Sequence, residues 1–391
     1  MAAVALPVRS AVPDRLGLLL AALGALAAAF LPLLDLKPNR IAAGQPHLLW
    51  SALPPAWAIG LTVLLAVAAA VAVLIHRPLP RLVAGLLGLA FLALAVGHGA
   101  TALAPPGNAY ARVSLGSGFW LLLLALALLV TDALARERLG PGMRVAALVL
   151  AAVAVATLLG SGSWNGLSVM REYASRADSF WREARTHVLL SVGSLAAAIA
   201  VGLPLGITAH LQPRLRPPLL QILNLIQTIP SIALFGILMA PLGFLAATVP
   251  LAAELGIRGI GAAPALVALF LYALLPVVAN TVIGLGQVQP AVVDAARGMG
   301  LTDRQILTRI ELPLAFPVIL TGIRIVLVQS IGLVTVAALI GGGGFGTFVF
   351  QGIGQTATDL ILLGAVPTVA LAFAAAVLLD AAVDLSRRGT P

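Results

Sequence analysis

The 391-residue chain has no cysteine, a single lysine (Lys37), and only 14 acidic residues against 23 basic ones. Without cysteine there are no disulfides, thiolate metal sites or cysteine nucleophiles. A phosphate-cradling ATPase loop needs a lysine beside its glycines, and Lys37 stands instead in the proline-containing stretch Asp35 to Arg40, so this chain is not itself a P-loop ATPase. Charged residues make up 9% of the chain and aromatics 5%, while 61% is apolar and the mean hydropathy is +1.08. So few charges cannot cover a water-soluble body of this size, and the apolar residues must face lipid.

What is there is a series of uncharged runs of membrane length. A hydrocarbon core of roughly 30 Å takes about 20 apolar residues in a helix. Ten such runs are legible, at 16–34, 57–75, 82–97, 114–131, 145–160, 187–209, 218–240, 262–286, 317–340 and 360–380, with 243–253 as an additional short helix. The fold class predicted is all-α, a polytopic integral membrane protein of about ten helices. The first run has too many uncharged residues for a cleaved secretory signal and reads as a retained membrane helix.

A net charge of +9 invites a nucleic-acid reading, but the basic residues fall in short loops between apolar runs, so no nucleic-acid partner is expected. With the N-terminus inside and ten crossings, the inside holds Arg9, Arg15, Arg77, Arg81, Arg136, Arg138, Arg144, Arg214, Arg216, Arg297, Arg304, Arg309, Arg324, Arg387 and Arg388, and the outside holds the other 8, a split of 15 to 8 out of 23. Cytoplasmic loops carry the excess of such residues, which places both termini in the cytoplasm. Half of the outer set comes from 164–185, where Glu172, Asp178 and Glu183 alternate with Met170, Tyr173, Phe180 and Trp181. This mixed pattern predicts a surface helix, either a solvated linker between two membrane halves or one that lies along the membrane interface or docks on the outer protein surface. The organisation expected is therefore a membrane region over 1–162, an extracytoplasmic amphipathic linker over 163–186, and a second membrane region over 187–391.

Other chemistry falls away. Gly341, Gly343 and Gly346 satisfy GxGxxG, but between two membrane runs they read as a flexible break that lets backbone bend or approach closely. The five histidines, His47, His76, His98, His187 and His210, lack metal-ligand spacing. Arg324, Asp359 and Asp380 lie near the ends of runs, where they can snorkel to the interface, so no intramembrane proton relay is assembled.

The most informative stretch is the inside loop at 288–313. Val292 to Met299 is helix-compatible, Gly300 suits a left-handed helix end, Thr302 and Gln305 have the spacing of a capping box, and Leu312-Pro313 stops the second helix. Ala295, Ala296 and Gly300 present almost no bulk, as suits a hairpin that enters a groove of another protein; packing on its own membrane helices is the competing reading.

These residues resemble a family. Asp294, Ala295, Ala296, Gly300, Ile310, Leu312 and Pro313 have the spacing of the EAA loop of type I ABC importer permeases, with aspartate in place of glutamate. Gln227 to Phe235 (QTIPSIALF), Leu269 to Thr281 (LFLYALLPVVANT, with Ala279 where a basic residue is usual) and Ala337 to Gly346 (AALIGGGGFG) are similar to the branch that serves glycine betaine, choline and carnitine. The resemblance covers roughly 187–385, and some permeases of this branch are similar in carrying an added block of membrane helices.

The resemblance implies an inner-membrane transport subunit rather than an enzyme. Its partners would be a cytoplasmic ABC ATPase that binds ATP and Mg, a second permease subunit, the same or related, an extracytoplasmic substrate-binding protein, and the bilayer. The chain itself would hold no cofactor or metal. The hairpin would couple ATP-driven closure of the ATPase to rearrangement of the membrane helices. Polar groups in otherwise apolar helices are the expected translocation path: Asn224, Gln227, Thr228, Ser231, Asn280 and Thr281, together with Tyr272 and with Pro230 loosening its helix; interhelical hydrogen bonding is the other reading for each. A permease for another small solute such as an amino acid, an ion-coupled secondary transporter, a membrane enzyme and a scaffold are the alternatives.

Overall fold

The computed structural model describes residues 14–40, 42–105, 107, 108 and 110–388, the last without its side chain. Arg9 and the Arg388 side chain, both assigned to the inside above, lie outside the described residues. Two compact units are present, one formed by 1–139 and 151–174 and the other by 140–150 and 175–391.

The first unit contains α1 (Arg15–Phe30), β1 (Leu34–Lys37), β2 (Gln45–His47), α2 (Leu49–Ala52), α3 (Pro55–Leu74), α4 (Pro78–Leu103), β3 (Arg112–Leu115), α5 (Ser117–Glu137), the second half of α6 (Pro141–Gly160), and α7 (Ser168–Ser175). Local sequence sets the helix starts. Asp14 caps α1 through the Gly17 N–H at 2.9 Å, and α3 and α4 each open with proline, whose missing N–H is not needed in a first turn. Leu61, Leu92 and Leu122 lie in the shared core. A small antiparallel sheet of order β2-β1-β3, with Leu34 opposite both His47 and Leu115, joins the loops at one end. It adds strands to the helical bundle at positions where hydropathy alone indicates none.

Arg81 is fully buried at the start of α4 and forms ion pairs with Asp14 and Asp132. It also donates to the carbonyls of Ile75 and Ala72, while Arg136 binds the same two carboxylates. This closed set of two cations and two anions ties together α1, α3, α4 and α5, and the backbone carbonyls satisfy the guanidinium's remaining donors.

The second unit contains the start of α6, then α8 (Ala177–Leu211), α9 (Arg216–Thr228), α10 (Ser231–Thr248), α11 (Pro250–Glu254), α12 (Ala262–Gly286), α13 (Pro290–Gly298), α14 (Asp303–Ile306), α15 (Leu312–Ala337), α16 (Gly346–Gly354) and α17 (Thr358–Arg388). Glycines bring α8 and α12 together: a Cβ on Gly202 would stand 2.9 Å from Val277 Cγ1. The same logic holds between α12 and α15, where a Cβ on Gly322 would stand 2.6 Å from that of Asn280.

Among the described residues, nine helices are long and apolar enough to cross a membrane, and α1 is a shorter apolar helix of 16 residues. The chain is an all-α polytopic membrane protein. The run at 218–240 is not one helix: Pro230 ends α9 rather than loosening it, because proline disfavours helical backbone in the residue before it, and Ile229 is extended at φ −69°, ψ 125°. The short helix anticipated at 243–253 is divided between the end of α10 and α11, with Val249 extended ahead of Pro250. Residues 163–186 are not a single surface helix. α7 carries Glu172, itself buried, into an ion pair with the half-buried Arg40, and α8 begins already at Ala177 and runs without interruption into the membrane-length segment.

Candidate functional site

The hairpin begins with α13, which ends in a Schellman turn. The Leu301 N–H donates to the Ala296 carbonyl at 3.2 Å and the Gly300 N–H to that of Arg297 at 2.9 Å, with Gly300 at φ +85°. Thr302 then opens α14 with a complete capping box: the Gln305 N–H meets the Thr302 hydroxyl and the Thr302 N–H donates to Gln305 Oε1 at 2.8 Å. Asp294, Ala295 and Gly300 are exposed, as is Met299 at 72%. Ala296 in the first short helix and Ile306 in the second are buried, while Ile310 and Leu312 are half-buried and Pro313 is exposed. Arg297 reaches both Asp294 and Asp303, at 3.7 and 3.4 Å; these exposed pairs contribute little stability.

Leu312-Pro313 does not stop the second helix. Residues Leu307–Glu311 widen into a π-helical turn and α15 continues directly from it, with Pro313 in its first turn. Widening the turn removes the clash between a proline ring and the carbonyl four residues before it. The result is one continuous helical stretch from Asp303 to Ile340, 38 residues long. The hairpin's second arm is thus the end of a membrane helix.

The polar residues expected to line a path divide into three groups. Asn224, Thr228 and Pro230 are exposed, with Ser231 half-buried beside them, around the break between α9 and α10. Gln227 and Tyr272 hold that break to α12: Gln227 Nε2 donates to the Tyr272 carbonyl at 2.8 Å, and the Tyr272 hydroxyl donates to the Ile229 carbonyl. Asn280 and Thr281 bond back to their own helix, at the carbonyls of Pro276 and Val277, and Thr281 is fully buried against α8.

Four charged residues gather elsewhere in the second unit. Arg324 lies within α15 rather than at its end and pairs with Asp380 of α17, which also binds Arg144 of α6; Arg144 in turn holds Asp384. Arg324 and Asp380 therefore find each other instead of reaching separately to an interface. They sit beside an open groove of about 650 Å³ that also takes in Gln329. Asp359, also expected to snorkel, is buried in the first turn of α17, where the helix dipole favours a negative charge.

Gly341 to Gly346 is an ordered turn, not a flexible break. Gly341, Gly343 and Gly344 have φ between +78° and +82°, and a Cβ on Gly344 would lie 3.0 Å from His187 Nδ1. Glu183 Oε2 accepts the Gly344 N–H at 2.7 Å, and His187 Nδ1 accepts that of Phe345 at 3.2 Å. His187 therefore carries its proton on Nε2 and donates to the Ile331 carbonyl at 3.0 Å. Sequence reasoning singles out both residues but not this pairing, which joins positions far apart in the chain. The glycine run is the one signal for it.

A bundle of membrane-length helices that presents one exposed helical hairpin, continuous with a membrane helix, has the build of a transport permease subunit. The chain belongs to the family of binding-protein-dependent transport system inner membrane components, the permeases of type I ABC importers, which residues 198–390 match. Residues 14–170 match the N-terminal domain of the ABC transporter permease YehY.

Relatives include the carnitine transport permease protein OpuCD of Listeria monocytogenes, 37% identical over 216 residues that cover 55% of this chain and 85% of the relative. The glycine betaine/carnitine/choline transport system permease protein OpuCD of Bacillus subtilis is 35% identical over 51% of this chain and 81% of its own. The osmoprotectant import permease protein OsmW of Salmonella typhimurium is 40% identical over 46% and 78%. Among solved structures, the MetNI methionine ABC transporter in an inward-facing conformation aligns with 56% of this chain and 99% of its own at 21% identity and a TM-score of 0.48.

Proposed function

We propose that this chain is the membrane permease of an ATP-driven, binding-protein-dependent importer of a quaternary ammonium osmoprotectant such as glycine betaine, choline or carnitine. The observation that carries the reading is the exposed hairpin that begins with Asp294 to Gly300 and whose second arm, from Asp303, is continuous with α15. ATP and Mg sit on a separate cytoplasmic ATPase, whose closure moves the hairpin and, through the continuous helix, the membrane bundle. A second permease subunit completes the pathway, and an extracytoplasmic binding protein delivers the cargo. Both termini and the hairpin face the cytoplasm in this arrangement, in line with the excess of arginine on that side. The names of the relatives support the cargo class.

The test is Gly300→Asp. A Cβ at Gly300 meets no atom within 4 Å, so the side chain itself is accommodated and only the left-handed backbone resists it, at about 1–2 kcal/mol. The variant is expected to reach the membrane in normal amount, to lose the ATPase on mild-detergent purification, and to lose uptake. Uptake equal to that of the unmodified protein overturns the coupling role.

A further inference from the structure

Arg324 stands near the middle of α15, where a charged side chain is kept only if it faces protein or water. Its Nη1 binds Asp380 of α17, and among the described residues its Nε and Nη2 have no protein partner. The Arg324 side chain is 33% exposed and that of Asp380 40%. Both line the open groove of about 650 Å³ between α15 and α17, whose other walls include Ile325, Val328 and Val377. Gln329 lines the same groove, exposed and likewise without a partner among the described residues. Hydrocarbon satisfies neither a guanidinium nor an amide, so this groove holds water or a polar ligand.

The cluster does not need Arg324 to stay balanced. Asp380 Oδ2 is held by Arg144, which also holds Asp384, and Oδ1 alone faces Arg324. Removing Arg324 therefore leaves each of the other three charges with a partner. The Nε and Nη2 edge of a guanidinium offers two parallel N–H donors, which match the two oxygens of a carboxylate. A groove of this size, with apolar walls and a few polar groups, has the build of a small-molecule site. Glycine betaine and carnitine carry a carboxylate as well as a methyl-covered ammonium, whereas choline carries only the ammonium and a hydroxyl.

Resting on the importer reading above, we infer that Arg324 is a cargo-binding residue, receiving the carboxylate of a zwitterionic osmoprotectant in the groove between α15 and α17. Asp380 is a positioning residue: it holds one end of the guanidinium and leaves the other donors to the cargo. The contact lies on the helix that continues into the hairpin, and it separates carboxylate-bearing cargo from choline.

The experiment uses the complete assembly, with its ATPase and saturating substrate-loaded binding protein, in proteoliposomes, and follows labelled glycine betaine, carnitine, choline and a neutral amino acid. Arg324→Gln is expected to slow glycine betaine and carnitine uptake about tenfold, the scale of a lost charge-assisted hydrogen bond, and to leave choline uptake within twofold of normal. Asp380→Asn keeps an oxygen for Arg324 and leaves Arg144 its pair with Asp384; it is expected to carry glycine betaine within twofold of normal. Glycine betaine uptake within twofold of normal in Arg324→Gln overturns the inference. Equal losses in Arg324→Gln and Asp380→Asn, or equal losses of choline and glycine betaine in Arg324→Gln, also overturn it and leave Arg324 as a support for the helix pair or a contact for lipid. An unmodified assembly that imports choline but neither carboxylate-bearing compound overturns this inference alone. One that imports the amino acid and no quaternary ammonium compound overturns the cargo reading itself.

Discussion

A Cβ on Gly206 would stand 2.6 Å from Thr281 Cβ and 3.2 Å from the Val278 carbonyl oxygen, so α8 and α12 cross here with almost no side chain between them. Thr281 is fully buried and returns its hydroxyl to the Val277 carbonyl at 2.7 Å, leaving its methyl face to the glycine. Gly206→Leu forces these helices apart, an overpacking cost of about 1–3 kcal/mol. The expected result is a lower thermal midpoint in detergent; Thr281→Ser, which keeps the hydroxyl and removes only the methyl group, is expected to recover part of it.

Asp14 gives the first unit a defined acid response. Burial opposes its charge, but the Gly17 N–H, Arg136 and Arg81 outweigh burial and bring the carboxyl from 3.8 down to about 2. A lowered value in the folded state means stability that is present above the unfolded carboxyl's range and is lost as pH falls through about 2. Asp14→Asn, which retains an oxygen for the helix cap, is expected to be less stable than the unmodified protein at pH 6 by on the order of 1–2 kcal/mol. Thermal unfolding measured down to pH 2 is expected to show that difference shrinking below about pH 4.

The break that Pro230 sets between α9 and α10 is tied to α12 by a hydroxyl. Tyr272 donates to the carbonyl of Ile229, which precedes Pro230, and Gln227 meets the Tyr272 carbonyl in return. Tyr272→Phe leaves that carbonyl without its donor, at a cost of about 1 kcal/mol. Hydrogen exchange is expected to quicken in the first turn of α10, from Ser231 to Leu234, and to stay unchanged in the middle of α12.

Features set by neighbours along the chain are legible in the amino-acid sequence alone. The capping box of Thr302 and Gln305 and the left-handed Gly300 are local, and the membrane runs follow from hydropathy. The part played by Pro313 is not legible, because proline ends a helix in one setting and begins one in another; the π turn ahead of it decides between them. Nor does the sequence announce that Glu183 and His187, one helical turn apart, take consecutive N–H groups from a loop more than 150 residues away. Arg324 and Asp380 read as independent snorkelling residues because nothing in a run of letters says that α15 and α17 stand side by side.

The π turn at Leu307–Glu311 also sets an angle. Each residue of a helix advances it by about 100°, and a π turn holds one residue more than an α turn at the same place. The hairpin's bearing around the axis of α15 is therefore clocked by that extra residue, as its distance from the membrane is set by helix length. Removing one residue between Leu307 and Glu311 would swing the same hairpin, with its Schellman turn and capping box intact, to face a different neighbour.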